Sequence, residues 1–428
     1  MILIYTHTST KRLQYICRFI FKEQLGIAYS LTVDAESFKE HTGDKINYSD
    51  KNFDSAFTIR NYSLLFENDI KEQQINCFKL NKDNKAFFKT SGGDYPFDIF
   101  AASFYLLSRY EEYLPHQKDM YNRYAHENSL AFKEGFLNIP LINIWLHDFL
   151  QKLKAVFPTM HYQLPAFKFL PTYDIDIAWS YKHKGFFRNI GGFIKKPTVE
   201  RLSVLAGIKK DPFNCYDYLN ELHKQYNLEP IYFFLVATSK SAYDKNISPF
   251  ANAMWSLIRQ HGKKYDIGLH PSWKSNDNAA LLKKERTIIE DAGHARVVKS
   301  RQHYIKFTLP DTMNKLVEAG IEHDYSMGYG SINGFRASVA SSFHWYDLKK
   351  DMISKLIMHP FCFMDANSYY EEKKNADEAY NEMIHYYQQC QKANGSLITI
   401  FHNNFLGTDK QFTKWKEMYT QFISQIRR

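Results

Sequence analysis

The sequence predicts an α/β chain in two parts: a smaller mixed α/β domain over residues 1–160, then a repeated β/α array over residues 166–428 that forms a parallel sheet or barrel. Three observations predict it. After Pro165, apolar runs of strand length alternate with helix-length segments, the order that lays parallel strands under helical crossovers. Before Pro165 the runs are shorter and broken by polar turns. Five short segments of the second part carry a side chain able to bind a metal or move a proton just after an apolar run. A parallel β/α barrel assembles a hydrolytic centre in that way, each strand end supplying one group to a shared mouth.

In the first part, strand-like runs fall at 2–5, 62–66, 77–80 and 86–88. From Asp98 to Tyr113, apolar side chains recur at Phe100, Phe104, Leu107 and Tyr110, the spacing of a helix with one buried face. Arg109, Glu111 and Glu112 are expected on its solvated edge, in local ion pairs. In the second part, strands are expected at 167–172, 231–236, 266–269, 295–298, 361–364 and 396–401. The helices between and after them are expected at 217–225, 249–261, 279–291, 312–319, 376–393 and from Gln411.

One stretch interrupts this rhythm. Between Tyr181 and Asp211, Phe186, Phe187, Phe193 and Ile194 lie among Lys182, Lys184, Arg188, Lys195, Lys196, Arg201, Lys209 and Lys210. Only Glu200 and Asp211 oppose these basic residues, so the insertion carries a formal +6 of the chain's +9. Loops of this length are usually lids, binding surfaces or linkers. Aromatic residues interleaved with cations suit an anionic lipid or membrane surface, docked through residues 182–210. A lid or a solvated excursion is the alternative.

With 44% hydrophobic and 24% charged residues, the 428-residue chain has the profile of a folded protein rather than a disordered one. A net charge of +9 spread over this length does not imply nucleic acid, and no clustered nucleic-acid motif is present. The cysteines (Cys17, Cys77, Cys215, Cys362, Cys390) are odd in number and far apart, which suits buried free thiols in a reducing compartment. The apolar start, Met1 to Tyr5, is too short for a signal-peptide core, and no run approaches the ~20 residues of a membrane span. The expected location is the cytoplasm, with peripheral attachment at the inner membrane face if the insertion docks there.

The chemical segments are Thr172-Tyr173-Asp174-Ile175-Asp176, His270-Pro271-Ser272-Trp273, Ser300-Arg301-Gln302-His303-Tyr304, Gly334-Phe335-Arg336 and Phe401-His402-Asn403-Asn404. Alternate residues of an extended strand face the same way, so Asp174 and Asp176 project together. A cation on one carboxylate leaves the other free as a general base. His270 and His303 follow neighbouring strands, and one carboxylate with two imidazoles is a borderline donor set with room for water, suited to zinc or a related divalent metal. His402 ends the last strand, which returns beside the first, and is placed to protonate a leaving nitrogen. Arg301 and Arg336 are candidates to hold a carboxylate or a substrate anion by bidentate bonds. Trp273 and Tyr304 share this substrate-orienting assignment with Arg336.

From Ala166 onward these segments resemble the polysaccharide deacetylase family, also called the NodB-homology or carbohydrate esterase family 4 domain. Thr-Tyr-Asp-Ile-Asp is similar to that family's first motif, implying Asp174 as base and Asp176 as metal ligand. Gly-Leu-His-Pro-Ser-Trp stands at the second motif and offers His270. Ser-Arg-Gln-His-Tyr stands at the arginine motif, implying that Arg301 orients the catalytic carboxylate, and Ile-Phe-His-Asn implies His402 as general acid. The resemblance implies an incomplete, distorted β/α barrel. It implies metal-assisted removal of acetyl from an N-acetylated sugar or glycan, at a C–N amide bond that is not a peptide bond. The family's second motif carries a further histidine four positions on, where this chain has Lys274; His303 is the expected replacement ligand. Rival readings are a barrel that has lost its metal and kept a sugar-binding or scaffold role, and a metal-dependent hydrolase of a non-sugar amide. Residues 1–160 do not resemble the deacetylase domain; the stretch Asp98–Tyr113 resembles an uncharacterised domain that precedes such barrels in some bacterial proteins.

Overall fold

The computed structural model describes residues 1–81, 84–195, 197–239 and 241–427. Lys196 and the side chains of Phe187 and Lys195, all counted in the basic insertion, lie outside the description. The chain forms two compact units. The first is Met1–Lys168 with Gly334–Pro360 and Gln388–Leu397; the second is Phe169–Asn333 with Phe361–Tyr387 and Ile398–Arg428. A single boundary after residue 160 therefore does not describe the arrangement, because two later segments return to the first unit.

In the first unit, β1 (Ile2–Thr6), β2 (Tyr29–Thr32), β3 (Lys45–Tyr48) and β4 (Phe57–Ile59) form a parallel sheet in the order β2-β1-β3-β4. Ile2, Ile4, Ile46, Tyr48, Phe57 and Ile59 are buried along it. A small antiparallel pair follows, β5 (Phe78–Lys79) with β6 (Lys85–Ala86). The run at 62–66 is a 3-10 turn over Ser63–Phe66 instead of a strand. Its consecutive Leu64 and Leu65 are both buried, which a strand alternating between two faces would not achieve with one face exposed.

The helix expected over 98–113 is shorter. Asp98 caps it, with Oδ1 accepting from the backbone N–H groups of Phe100 and Ala101, and every residue of Ile99–Leu107 is buried. Arg109 then adopts a left-handed φ of 54° and leads into a 3-10 turn over Tyr110–Tyr113. This turn carries the expected solvated edge inward. Arg109 donates to Glu112 and Glu111 at 2.8 Å each. Arg336 donates to Glu112 through Nε at 2.8 Å and Nη2 at 2.6 Å. The assignment of Arg336 to substrate or to a catalytic carboxylate is thereby corrected: it is buried, and its carboxylate is an internal one.

In the second unit, β7 (Lys168–Ile175), β8 (Ile231–Leu235), β9 (Asp266–His270), β10 (Lys299–Ser300) and β11 (His323–Asp324) pair successively in parallel. The antiparallel hairpin β12 (Phe343–Asp347) and β13 (Met352–Met358) belongs to the first unit. In the second unit, β14 (Phe363–Met364) pairs in parallel with β15 (Ser396–His402), and β15 lies beside β7. The order is thus β11-β10-β9-β8-β7-β15-β14. Helices Tyr216–Tyr226, Asn252–Gly262, Ala279–Gly293 and Asp311–Glu318 make the crossovers between β7 and β11. All five residues of β8 are buried, as a parallel strand covered on both faces requires. Among the described residues no strand pairing joins β11 to β14, so the array is mixed α/β and not a closed barrel. Between β7 and Tyr216 the insertion folds into helices Phe186–Lys195 and Val199–Leu205.

Candidate active site

Parallel pairing brings the C-terminal ends of β7, β8, β9 and β10 to one edge, with β15 on the other side of β7. Leu235 is in register with His270, and Leu269 with Ser300. Asp174 sits at the end of β7 and Asp176 just beyond it. His303 does not end a strand as expected. β10 stops at Ser300, and His303 opens a 3-10 turn in which Tyr304 and Ile305 take left-handed φ values of 59° and 53°. A β-branched residue in that region is strained. The turn returns the His303 ring to the site.

Asp176, His270 and His303 each offer one ligand atom, and the three atoms lie within 4.8 Å of one another. His270 Nδ1 is 2.6 Å from the Arg301 carbonyl. A carbonyl only accepts, so Nδ1 carries a proton, which leaves Nε2 to present either a lone pair or a second proton to the site. That nitrogen is 3.0 Å from Asp176 Oδ1, a buried oxygen without a hydrogen-bond partner. Two lone pairs at this distance repel unless a proton or a cation lies between them. His303 Nε2 is 3.4 Å from Asp176 Oδ2, and its Nδ1 faces Asp244 Oδ1 at 3.3 Å. A ligand imidazole backed by a carbonyl or a carboxylate is the usual outer-shell arrangement of zinc sites. The donor set therefore fits a divalent cation.

Burial raises the Asp176 carboxyl, but the His303 and then the His270 ring charges hold it well below the usual carboxylate range. Burial lowers His303, yet the Asp176 carboxylate, with Asp244 behind it, pushes the ring up to about 9.

The second carboxylate is fixed differently. Asp174 Oδ1 accepts from Arg301 Nη1 at 2.9 Å, and the same Nη1 donates to Thr172 Oγ1 at 2.7 Å. Arg301 Nε donates to the Tyr325 carbonyl, and the guanidinium lies 4.5 Å from the centre of the Phe233 ring. The other oxygen of Asp174, Oδ2, is 3.8 Å from His270 Nε2 and so faces the ligand cluster. Across from it, His402 Nε2 is 3.5 Å from Asp176 Oδ2. His402 Nδ1 is 2.6 Å from Asp365 Oδ1. Burial lowers His402, but Asp365 chiefly, then Asp176 and Asp174, raise it to about 10. Asp176 and His402 keep 25% and 14% side-chain exposure while Asp174 and His270 keep 2%, so the site opens on the Asp176–His402 side.

Asp244 and Asp365 were not among the residues expected here. Asp365 follows the apolar run Phe361–Met364, the same pattern that singled out the other groups, and was legible. Asp244 lies in the loop after β8 with no such mark. It accepts from Ser241 Oγ at 2.6 Å and from the Trp273 backbone N–H at 3.0 Å. Trp273 stacks on Tyr243, ring centres 3.9 Å apart, and Tyr304 meets Trp273 edge-on at 5.8 Å. With Tyr304 also 4.7 Å from His303, these rings make an aromatic wall beside the ligands. Lys274, where a second histidine of the motif would stand, donates to Ser239 Oγ at 3.2 Å.

Residues 2–158 match a family of unknown function, DUF7033. No curated protein matches the chain. Among solved structures, one named as a polysaccharide deacetylase from Mycobacterium smegmatis is 12% identical with a TM-score of 0.41, covering 61% of this chain and 84% of that one. A polysaccharide deacetylase from Bacillus cereus is 11% identical with a TM-score of 0.30, covering 61% of this chain and 88% of its own. A carbohydrate esterase family 4 pseudoenzyme from Bacillus anthracis is 10% identical with a TM-score of 0.32, covering 62% and 67%. Similarities at these levels assign neither a family nor an activity to this chain.

Proposed function

We propose that the second unit is a metal-dependent hydrolase that removes acetyl from an N-acetylated sugar or glycan. One observation carries the reading. Asp176, His270 and His303 bring three ligand atoms within 4.8 Å of one another, between a carboxylate fixed by Arg301 and an imidazole fixed by Asp365.

Asp176, His270 and His303 would hold a divalent cation, with zinc the first choice for a carboxylate and two imidazoles. When bound, such a cation supplies Lewis-acid polarisation of the amide carbonyl and acidifies water. Asp174 takes the proton from the attacking water through Oδ2, since Oδ1 is engaged by Arg301. Arg301, fully buried and tied to Thr172 and Tyr325, holds that carboxylate in one orientation. His402 enters protonated and donates from Nε2 to the departing amine, while Asp365 stabilises its positive charge. Acetate and a free amino sugar leave. Trp273, Tyr243 and Tyr304 offer faces and edges on which a sugar ring packs. The acetylated sugar as substrate rests on the sequence resemblance of the Asp174, His270, Arg301 and His402 motifs.

The test has two arms. Elemental analysis of protein purified without chelators is expected to find about one divalent metal per chain, and acetate release from N-acetylated oligosaccharides is expected to follow metal content. A metal-free protein that binds such sugars without turnover would establish the non-catalytic reading. Turnover of linear acetamides alone would move the substrate away from sugars.

A further inference from the structure

The basic insertion places its apolar side chains outward. Phe186, Ile190 and Ile194, one helical stripe at four-residue spacing on Phe186–Lys195, are exposed, with Ile194 at 75%. Val199, Leu202, Leu205 and Ile208 continue the display through the second helix and past it, with Val199 at 80% and Ile208 at 79%. A lid would turn these side chains onto the body it covers. The other exposed large apolar residues are scattered along the chain, as on any protein surface.

Cations accompany this face. Lys182, Arg188, Arg201, Lys209 and Lys210 lie in the same segment, and the acidic residues there are Glu200 and Asp211. Asp211 is spent internally, accepting from the backbone N–H groups of Ser180, Tyr181 and Lys182. Arg188 reaches the carbonyls of Lys245 and Asn246, which ties the first helix to the loop after β8 through neutral acceptors. Lys210 is paired with Asp217. A second copy of the same face would meet it with like charge, which disfavours self-association.

We propose that residues 186–208 form an interfacial anchor that lays this apolar stripe into an anionic lipid bilayer, with the flanking lysines and arginines against the headgroups. Short amphipathic helices with a cationic border bind in this way, by apolar burial and electrostatic attraction together. The proposed attachment is peripheral; no helix among the described residues is long and apolar enough to cross a membrane. It does not depend on the hydrolytic reading.

Co-sedimentation of the full chain with phosphatidylcholine vesicles, and with vesicles containing phosphatidylglycerol as well, tests it. Binding is expected on the anionic vesicles only. The double variant Ile194→Ser, Ile208→Ser is expected to lose most of it with an unchanged melting temperature, since both side chains are already in solvent. Lys209→Gln, which removes one charge, is expected to weaken binding about fivefold. Absence of binding to anionic vesicles, equal binding to both vesicle types, or unchanged binding of the isoleucine double variant would each overturn the proposal.

Discussion

Asp365 grips His402 at two points: Oδ1 is 2.6 Å from the ring Nδ1, and Oδ2 accepts from the backbone N–H at 2.7 Å. One carboxylate thus sets the tautomer, the ring orientation and the main-chain position of a residue at the end of β15. Asp365→Asn keeps the shape but removes the charge. Turnover is expected to fall about 10- to 100-fold with metal content and KM little changed; a variant with full turnover would remove Asp365 from the acid's support.

The proposed ligand set predicts a split between its two histidines and Lys274. His303→Ala and His270→Ala are each expected to lose bound metal, while Lys274→Ala keeps it, as measured by elemental analysis after dialysis. Retention of metal by His303→Ala would show that the third donor lies elsewhere. Asp174→Asn is expected to keep its metal and lose turnover.

Glu112 accepts from two buried arginines, Arg109 and Arg336. Burial opposes its charge, but Arg336 and then Arg109 lower its carboxyl to about 2. Glu112→Ala removes the buried carboxylate that both guanidinium groups share, at a cost of about 3–5 kcal/mol. Chemical denaturation is expected to show that loss. A change below about 1 kcal/mol would mean that water or Glu111 compensates.

Two buried histidines are expected to make the second unit acid-sensitive. Burial lowers His223 to about 3 and His261 to about 4 from an ordinary value of 6.5. Both are neutral in the fold, so their stability contribution is present above 6.5 and is lost as pH falls toward those lower values. Each steepens the loss by about 1.4 kcal/mol per pH unit in that window. Denaturation midpoints of the wild type and His223→Gln between pH 7 and pH 4.5 check this; parallel curves would exclude His223.

Gly268 in β9 has no space for a side chain. A Cβ there would lie 2.5 Å from Phe233 Cε1, and the Phe233 ring supports the Arg301 guanidinium. Gly268→Ala is expected to destabilise by about 1–3 kcal/mol and to reduce turnover by disturbing the Arg301–Asp174 contact. Stability and turnover both at wild-type level would show that the ring yields freely.

Part of the order of strands and helices after Pro165 was legible because apolar periodicity reports burial directly; the run at 295–298 is not a strand, and β11, β12, β13 and the two insertion helices were missed. The runs at 231–236 and 266–269 and the helices at 249–261 and 279–291 lie within a few residues of their observed places. The candidate site was legible through one pattern, a polar group closing an apolar run, and Asp365 obeys it too. Asp244 does not, because a loop carboxylate is recognised only by what it touches. The segment Arg109–Glu112 misled for a related reason: a charged stretch reads as solvated unless its partner is visible, and Arg336 stands 224 positions from Glu112.

What the sequence determined by itself is local: which segments are strands or helices, which side chains stand at strand ends, and where charge accumulates. These follow from periodicity and residue chemistry, which act over a few positions. The tertiary structure alone decided convergence. It folded His303 back through a left-handed turn, paired Arg336 internally, put Asp244 and Asp365 behind two imidazoles, and faced the insertion's isoleucines to solvent. Each outcome depends on groups brought together by packing and hydrogen bonding across long separations, and no local pattern encodes the distance between them.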